Sequence, residues 1–176
     1  MLTTLLLCSA AVAAFLLYRH FQRGAHVVGG FIDAPPAVRT AAKRLGFRAQ
    51  PNVHSIVSLH SPDLCVAAMA VAFARMDENT TLADATLAAS LTKHLQIDPS
   101  EVDDAIILSA WLVDQGGGPT SAFERLTKRL KQLDHGPYFS KMMSVLGDVT
   151  AAGTRGMPSA PQADAMGALA RIFRTA

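Results

Sequence analysis

Cysteine is almost absent. The two present, Cys8 and Cys65, lie in an apolar run and in a helical pattern. No disulfide framework and no CxxC metal motif can be built from them, and a reducing compartment is compatible with that usage. Aromatic residues make up only 6% of the chain, and the alternating Val/Ile/Thr runs that mark strands are scarce. Phosphate-binding glycine motifs are missing: Gly116-Gly117-Gly118-Pro119-Thr120 lacks the lysine and follows a helical pattern, not a strand. The six histidines (His20, His26, His54, His60, His94, His135) form no HExxH and no i, i+4 pair, and no GxSxG elbow occurs. Nothing reads as a catalytic site, and nothing calls for a cofactor.

What is present is alanine and leucine in a chain that is 50% hydrophobic. Both lose little side-chain entropy in a helix, so the expected fold is all-α. The 176 residues suffice for one domain plus an anchor. Net charge is +2, but it is unevenly spread. Between residues 19 and 60, Arg19, Arg23, Arg39, Lys43, Arg44 and Arg48 face a single acid, Asp33, whereas the remainder of the chain to 176 is mildly acidic. A nucleic-acid binder would carry its positive charge on the folded body, so nucleic acid is not an expected partner.

Residues Leu2–Tyr18, LTTLLLCSAAVAAFLLY, carry no charge and sit at the lower limit for crossing about 30 Å of hydrocarbon as a helix. Leu5, Leu6, Leu7, Phe15, Leu16, Leu17 and Tyr18 would be the membrane-contacting side chains. A cleaved signal peptide needs a basic segment before the apolar run, and here the basic residues follow it. A lipoprotein cysteine expects a small residue where Leu7 precedes Cys8. The expectation is an anchor over residues 1–22, with lipid contacted through residues 2–18. By the positive-inside rule, the body then lies on the cytoplasmic side, a bacterial inner membrane being the natural setting. Residues 23–60 read as a basic juxtamembrane linker containing Gly29-Gly30 and Pro35-Pro36, with a short amphipathic helix at about Pro36 to Leu45. Its Arg39, Lys43 and Arg44 would either touch anionic lipid or lie on a solvated spacer.

Six helical patterns fill residues 61–176, giving a compact bundle of about six helices beyond the transmembrane one. Ser61-Pro62-Asp63 opens a broad apolar helix that should be central: N-cap, proline at the first position, acid in the first turn. Thr81-Leu82-Ala83-Asp84 has capping-box spacing and precedes Leu87, Leu91 and Leu95. Asp98-Pro99-Ser100-Glu101 starts a helix that ends at the glycine triplet, where a left-handed residue is tolerated. The next begins near Ser121, with Leu126, Leu130 and Leu133 inward. Another spans about Tyr138 to Ala152. The last opens on Ser159-Ala160-Pro161-Gln162, a second capping box. Short connections predict that sequential helices pack on each other.

The helix pair ending at Leu95 matches the last pair at an offset of 78 residues, Thr81 on Ser159, Asp84 on Gln162, Leu91 on Leu169 and Lys93 on Arg171. This reads as one duplicated hairpin and not as a solenoid. On the stretch MAVAFARMDENTTLADATLAASLTKHLQID, Met69 to Asp98, the chain resembles the TerB-like (tellurite-resistance) helical domains, the likeness extending over residues 61–176. The resemblance implies an Ala-rich helix, an acidic loop and a second helix. Asp77 and Asp84 keep the family's seven-residue acidic spacing, but Glu78 replaces its loop glycine, and the second repeat has Arg155 and Gln162 at the matching positions. The arrangement also resembles the front part of membrane-anchored DnaJ-like co-chaperones without the J-domain. No His-Pro-Asp occurs, so chaperone stimulation is not implied.

Two candidate sites remain. Asp77, Glu78 and Asp84 would bind a hard divalent cation, or would only cap and solvate helix ends. Arg125, Lys128, Arg129 and Lys131 would dock an acidic protein, or would only be a solvated helix face. The functional expectation is a non-catalytic protein-interaction module held at the cytoplasmic face. Its rivals are an accessory subunit or assembly factor of a membrane complex, and a metal-responsive domain.

Overall fold

The computed structural model describes residues 31, 34–77, 84–134, 136–153 and 156–174. Seven α-helices and no strand are found among them. These are α1 (Pro36–Arg44), α2 (Pro62–Ala74), α3 (Asp84–His94), α4 (Val102–Gln115), α5 (Pro119–Leu133), α6 (Pro137–Ala152) and α7 (Ala160–Arg174). The all-α class and the six body helices agree with the sequence reading. The anchor expected over residues 1–22 lies outside the described residues. Within them, no helix is long and apolar enough to cross a membrane.

α2 is the axis of the bundle. Leu64 through Phe73 are all buried, as the width of the apolar pattern requires. Ser61 caps it, its side chain accepting the Leu64 N–H at 3.3 Å. Helices α4, α5 and α6 surround α2, while α1 packs on α4, α3 on α6 and α7 on α5. Most of the packing thus joins helices distant in sequence. The expectation that sequential helices pair holds for α4 with α5, but α2 and α3 meet only sparingly. The reason is α2 itself: being apolar on every side, it draws three partners around it and leaves its chain neighbour to pack elsewhere. Leu91 of α3 and Leu169 of α7, the pair matched across the offset, are both buried.

Residues 34–60 differ from the linker expected for residues 23–60. Val38, Ala41 and Ala42 of α1 and Phe47, Ile56 and Leu59 of the following loop belong to the one hydrophobic core. The loop is held by polar contacts as well. The Gln50 N–H donates to the Ser58 hydroxyl at 3.1 Å. Phe31 packs edge-on against both Phe47 and Trp111, with centroids 5.9 and 5.7 Å away. The basic composition masked this, because the apolar residues here are spread singly among charges and show no long run.

The glycine triplet after α4 divides its work. Gly116 keeps a right-handed φ of −71°, but a Cβ there would meet the Ala122 Cβ at 2.5 Å. Gly118 has φ 100° and ψ 172°, a region open essentially to glycine alone, and serves as N-cap of α5.

Candidate functional site

The basic residues of α5 do not form one surface. Arg129 turns inward: its Nε donates to the Leu59 carbonyl at 2.8 Å and its Nη2 to the same oxygen, fixing the loop before α2. Lys131 donates to the Ile172 carbonyl at 2.6 Å, near the C-terminal end of α7, where a cation complements the helix dipole. Lys128 pairs with Glu124 one turn earlier at 2.7 Å and stays exposed, as does Arg125. The Lys128 ammonium holds the Glu124 carboxyl below its usual range. Two of the four expected docking residues, Arg125 and Lys128, are therefore presented outward, while Arg129 and Lys131 tie elements together.

Of the acidic set, Glu78 and the side chain of Asp84 lie outside the described residues, and Asp77 ends the turn after α2. Among the described residues, no group of three His, Cys, Asp or Glu side chains is placed to hold a metal ion.

A polar cluster that the sequence did not announce lies between α3 and α6. One oxygen of Asp148 accepts from His94 Nε2 at 2.9 Å, from the Ser90 hydroxyl at 3.1 Å and from Lys93 Nζ at 3.5 Å. The His94 hydrogen bond, foremost, keeps the Asp148 carboxyl below its ordinary value. Serine, histidine and aspartate are together, but not in series. Hydroxyl and imidazole both donate to the same carboxylate, whereas a nucleophilic triad needs the hydroxyl to give its proton to the imidazole. The arrangement clasps α3 to α6. The signal available was Ser90 and His94 four residues apart, with Asp148 the one acid in α6.

Asp63 forms a second junction. Its carboxylate accepts from the Tyr138 hydroxyl at 2.9 Å, joining the starts of α2 and α6. Burial, and then the Asp63 carboxylate, push the Tyr138 phenol up to about 12. Cys65 is fully buried and its thiol is likewise raised to about 12 by burial, so it is not a reactive thiolate.

Two concave features are relevant to binding. A groove of about 240 Å³ runs between α5 and α7, with buried Phe123, Ala165 and Leu169 beneath exposed Glu124, Asp164 and Arg171. A hollow of about 430 Å³ opens beside the loop after α1, lined by Phe47, Arg48, Gln50, Ser58 and His60 among others. Neither holds a nucleophile paired with a base. Outward from the core, α1 presents Arg39, Lys43 and Arg44, with Arg48 just beyond. Comparison of the chain with protein-family models, with curated proteins and with solved structures gave no match.

Proposed function

We propose that the chain is a membrane-anchored, non-catalytic protein-interaction module, TerB-like in its repeated helix pairs, held at the cytoplasmic face by residues 2–18. The observation that carries this reading is how soon after the apolar run a residue packs into the core. Phe31 already packs on Phe47 and Trp111. Only the segment from Tyr18 to Phe31 separates the uncharged apolar run from the core. Fully extended, it spans at most about 45 Å, at 3.3–3.6 Å per residue. An anchor so tethered raises the effective concentration of the body near membrane partners. In support, the polar clusters among the described residues hold helices together, and none of these is arranged for group transfer. The α5–α7 groove and the outward pair Arg125 and Lys128 are the surfaces left for a partner.

The rival in which the chain is an accessory subunit draws on Ala10, Ala13 and Ala14, small enough for close helix packing within the membrane. Replacing residues 2–18 with an unrelated membrane helix separates the two. After affinity capture of the full chain in mild detergent, a simple tether keeps its protein partners through that exchange. Loss of a stoichiometric membrane complex on the exchange would instead establish the subunit.

A further inference from the structure

We infer that the outer face of α1 is a docking surface for anionic lipid headgroups, which fixes the body with α1 toward the bilayer. The inference rests on the anchored reading above and adds an orientation to it.

An amphipathic helix that binds a membrane by insertion needs a free apolar face. α1 has none to offer, because Val38, Ala41 and Ala42 are spent in the core. What it offers is the opposite side. Around the helix at 100° per residue, Thr40 and Lys43 stand opposite the buried stripe, and Arg39 and Arg44 flank them. α1 itself carries no acid. Lys43 and Arg48 are exposed and make no ion pair among the described residues, and Arg39 Nε donates only to the Ala34 carbonyl at 2.9 Å. The neighbouring acids belong to the start of α4. Asp104 pairs with Arg44 at 3.0 Å, with Glu101 and Asp103 just before it, and they temper the C-terminal end of α1; Asp33, three residues before α1, is the one acid among residues 19–60. In sequence, the N-terminal end of α1 follows Phe31, whose ring packs on Phe47 just past the other end of the helix, and Phe31 is preceded by Arg19, Arg23 and the apolar run.

That continuity selects the occupant. The same short stretch of chain that ties the body to the apolar run ends on α1, so α1 is the part of the body whose distance from the bilayer is bounded. A rigid positive face held there meets headgroup phosphates before it meets any soluble acid, and polybasic surfaces within a Debye length of an anionic leaflet are attracted to it.

The test uses the full chain, reconstituted in vesicles of phosphatidylcholine alone or of phosphatidylcholine mixed with phosphatidylglycerol. Cys8→Ser leaves Cys65, buried and unreactive, as the native thiol. Thr40→Cys then carries an environment-sensitive fluorophore on α1, and in a second variant Ala163→Cys carries it on α7, which packs on α5 rather than on α1. Quenching by brominated lipid is read at each position, alongside flotation. The expected result is flotation with both lipids, strong quenching at position 40 in anionic vesicles only, and little at position 163. Lys43→Gln with Arg48→Gln should lower the docked-to-undocked ratio by more than about tenfold, from about 1 kcal/mol per basic residue near such a surface. High salt should do the same. Equal quenching at position 40 in the two lipids, equal quenching at 40 and 163, or no response to the double substitution overturns the docking and leaves the anchor standing. Failure to float with either lipid overturns the anchored reading itself, and the docking with it.

Discussion

Gln162 closes two helix ends at once: its Nε2 donates to the Phe73 carbonyl at 2.9 Å, and its Oε1 accepts the Ser159 N–H at 2.9 Å. The first bond satisfies a carbonyl in the last turn of α2, and the second completes half of a capping box at the start of α7. The other half is not made, since the Ser159 hydroxyl finds no partner. Gln162 is only 4% exposed, so water does not substitute for it.

Gln162→Ala should therefore cost about 1–3 kcal/mol, the net worth of its two hydrogen bonds, the Phe73 carbonyl keeping only the Met76 N–H at 3.2 Å. Ser159→Ala should cost much less, because its hydroxyl makes no bond. Urea unfolding checks both: the midpoint should fall for Gln162→Ala with no change in slope. Equal midpoints for the two variants would mean that the Met76 N–H alone suffices for the Phe73 carbonyl.

His54 gives the protein an acid-sensitive seam. The Ile56 N–H donates to His54 Nδ1 at 3.2 Å, so the ring proton sits on Nε2 and is given to the Gln115 carbonyl at 3.1 Å. That pattern needs the neutral ring. Burial, and then the nearby Arg125 charge, hold the His54 pKa below its ordinary value of 6.5. A depressed histidine binds its proton in the unfolded chain before it does in the folded one. Its contribution is intact above pH 6.5 and is lost as the pH falls from there through the folded value. The denaturation midpoint should drop between neutral pH and about pH 5, and His54→Gln should flatten that slope. An unchanged slope in the variant would assign the acid sensitivity to another group.

How far the sequence could be read is set by how locally each feature is encoded. α2 was legible as a central helix because its cap, its proline and its unbroken apolar face are all local signals. The start of α7 was legible for the same reason. The Asp98 signal was partly misleading. Its carboxylate accepts from the Ser100 N–H at 2.8 Å and from the Ser100 hydroxyl at 2.6 Å, forming a turn, and α4 begins only at Val102. The core role of residues 34–60 was hidden because Val38, Phe47, Ile56 and Leu59 are far apart in sequence and come together only in the folded core. Arg129 and Lys131 looked alike as surface charges. Their difference depends on the Leu59 and Ile172 carbonyls, which lie far off in the chain.

The two outer glycines of the triplet should fail for different reasons. In Gly116→Ala the new methyl would lie 2.5 Å from the Ala122 Cβ and 2.8 Å from its Cα, and overpacking of that kind costs about 1–3 kcal/mol. In Gly118→Ala nothing lies within 4 Å, but φ is +100°, and the backbone strain costs about 1–3 kcal/mol. A double-mutant cycle separates them. Ala122→Gly should couple favourably to Gly116→Ala and be additive with Gly118→Ala. Additivity in both cycles would remove steric contact with α5 as the reason for glycine at 116.

Arg129 decides whether the basic run on α5 is a strut or a docking face. Two of its N–H groups reach the carbonyl of Leu59, a residue with no exposed surface. Arg129→Ala should cost about 1.5–3 kcal/mol, the range for a hydrogen bond from a charged donor. Arg129→Lys should recover little of that, because an ammonium cannot reproduce the planar fork. Lys128→Ala, whose partner Glu124 is as exposed as itself, should stay within about 0.5 kcal/mol. Thermal unfolding of the three variants checks the ordering, and affinity capture of the full chain adds the functional half. Arg125→Ala with Lys128→Ala should weaken capture of an acidic partner without lowering the unfolding temperature. If only Arg129→Ala lowers capture, and does so in proportion to unfolding, the α5 face holds the fold together and the α5–α7 groove becomes the surface to probe.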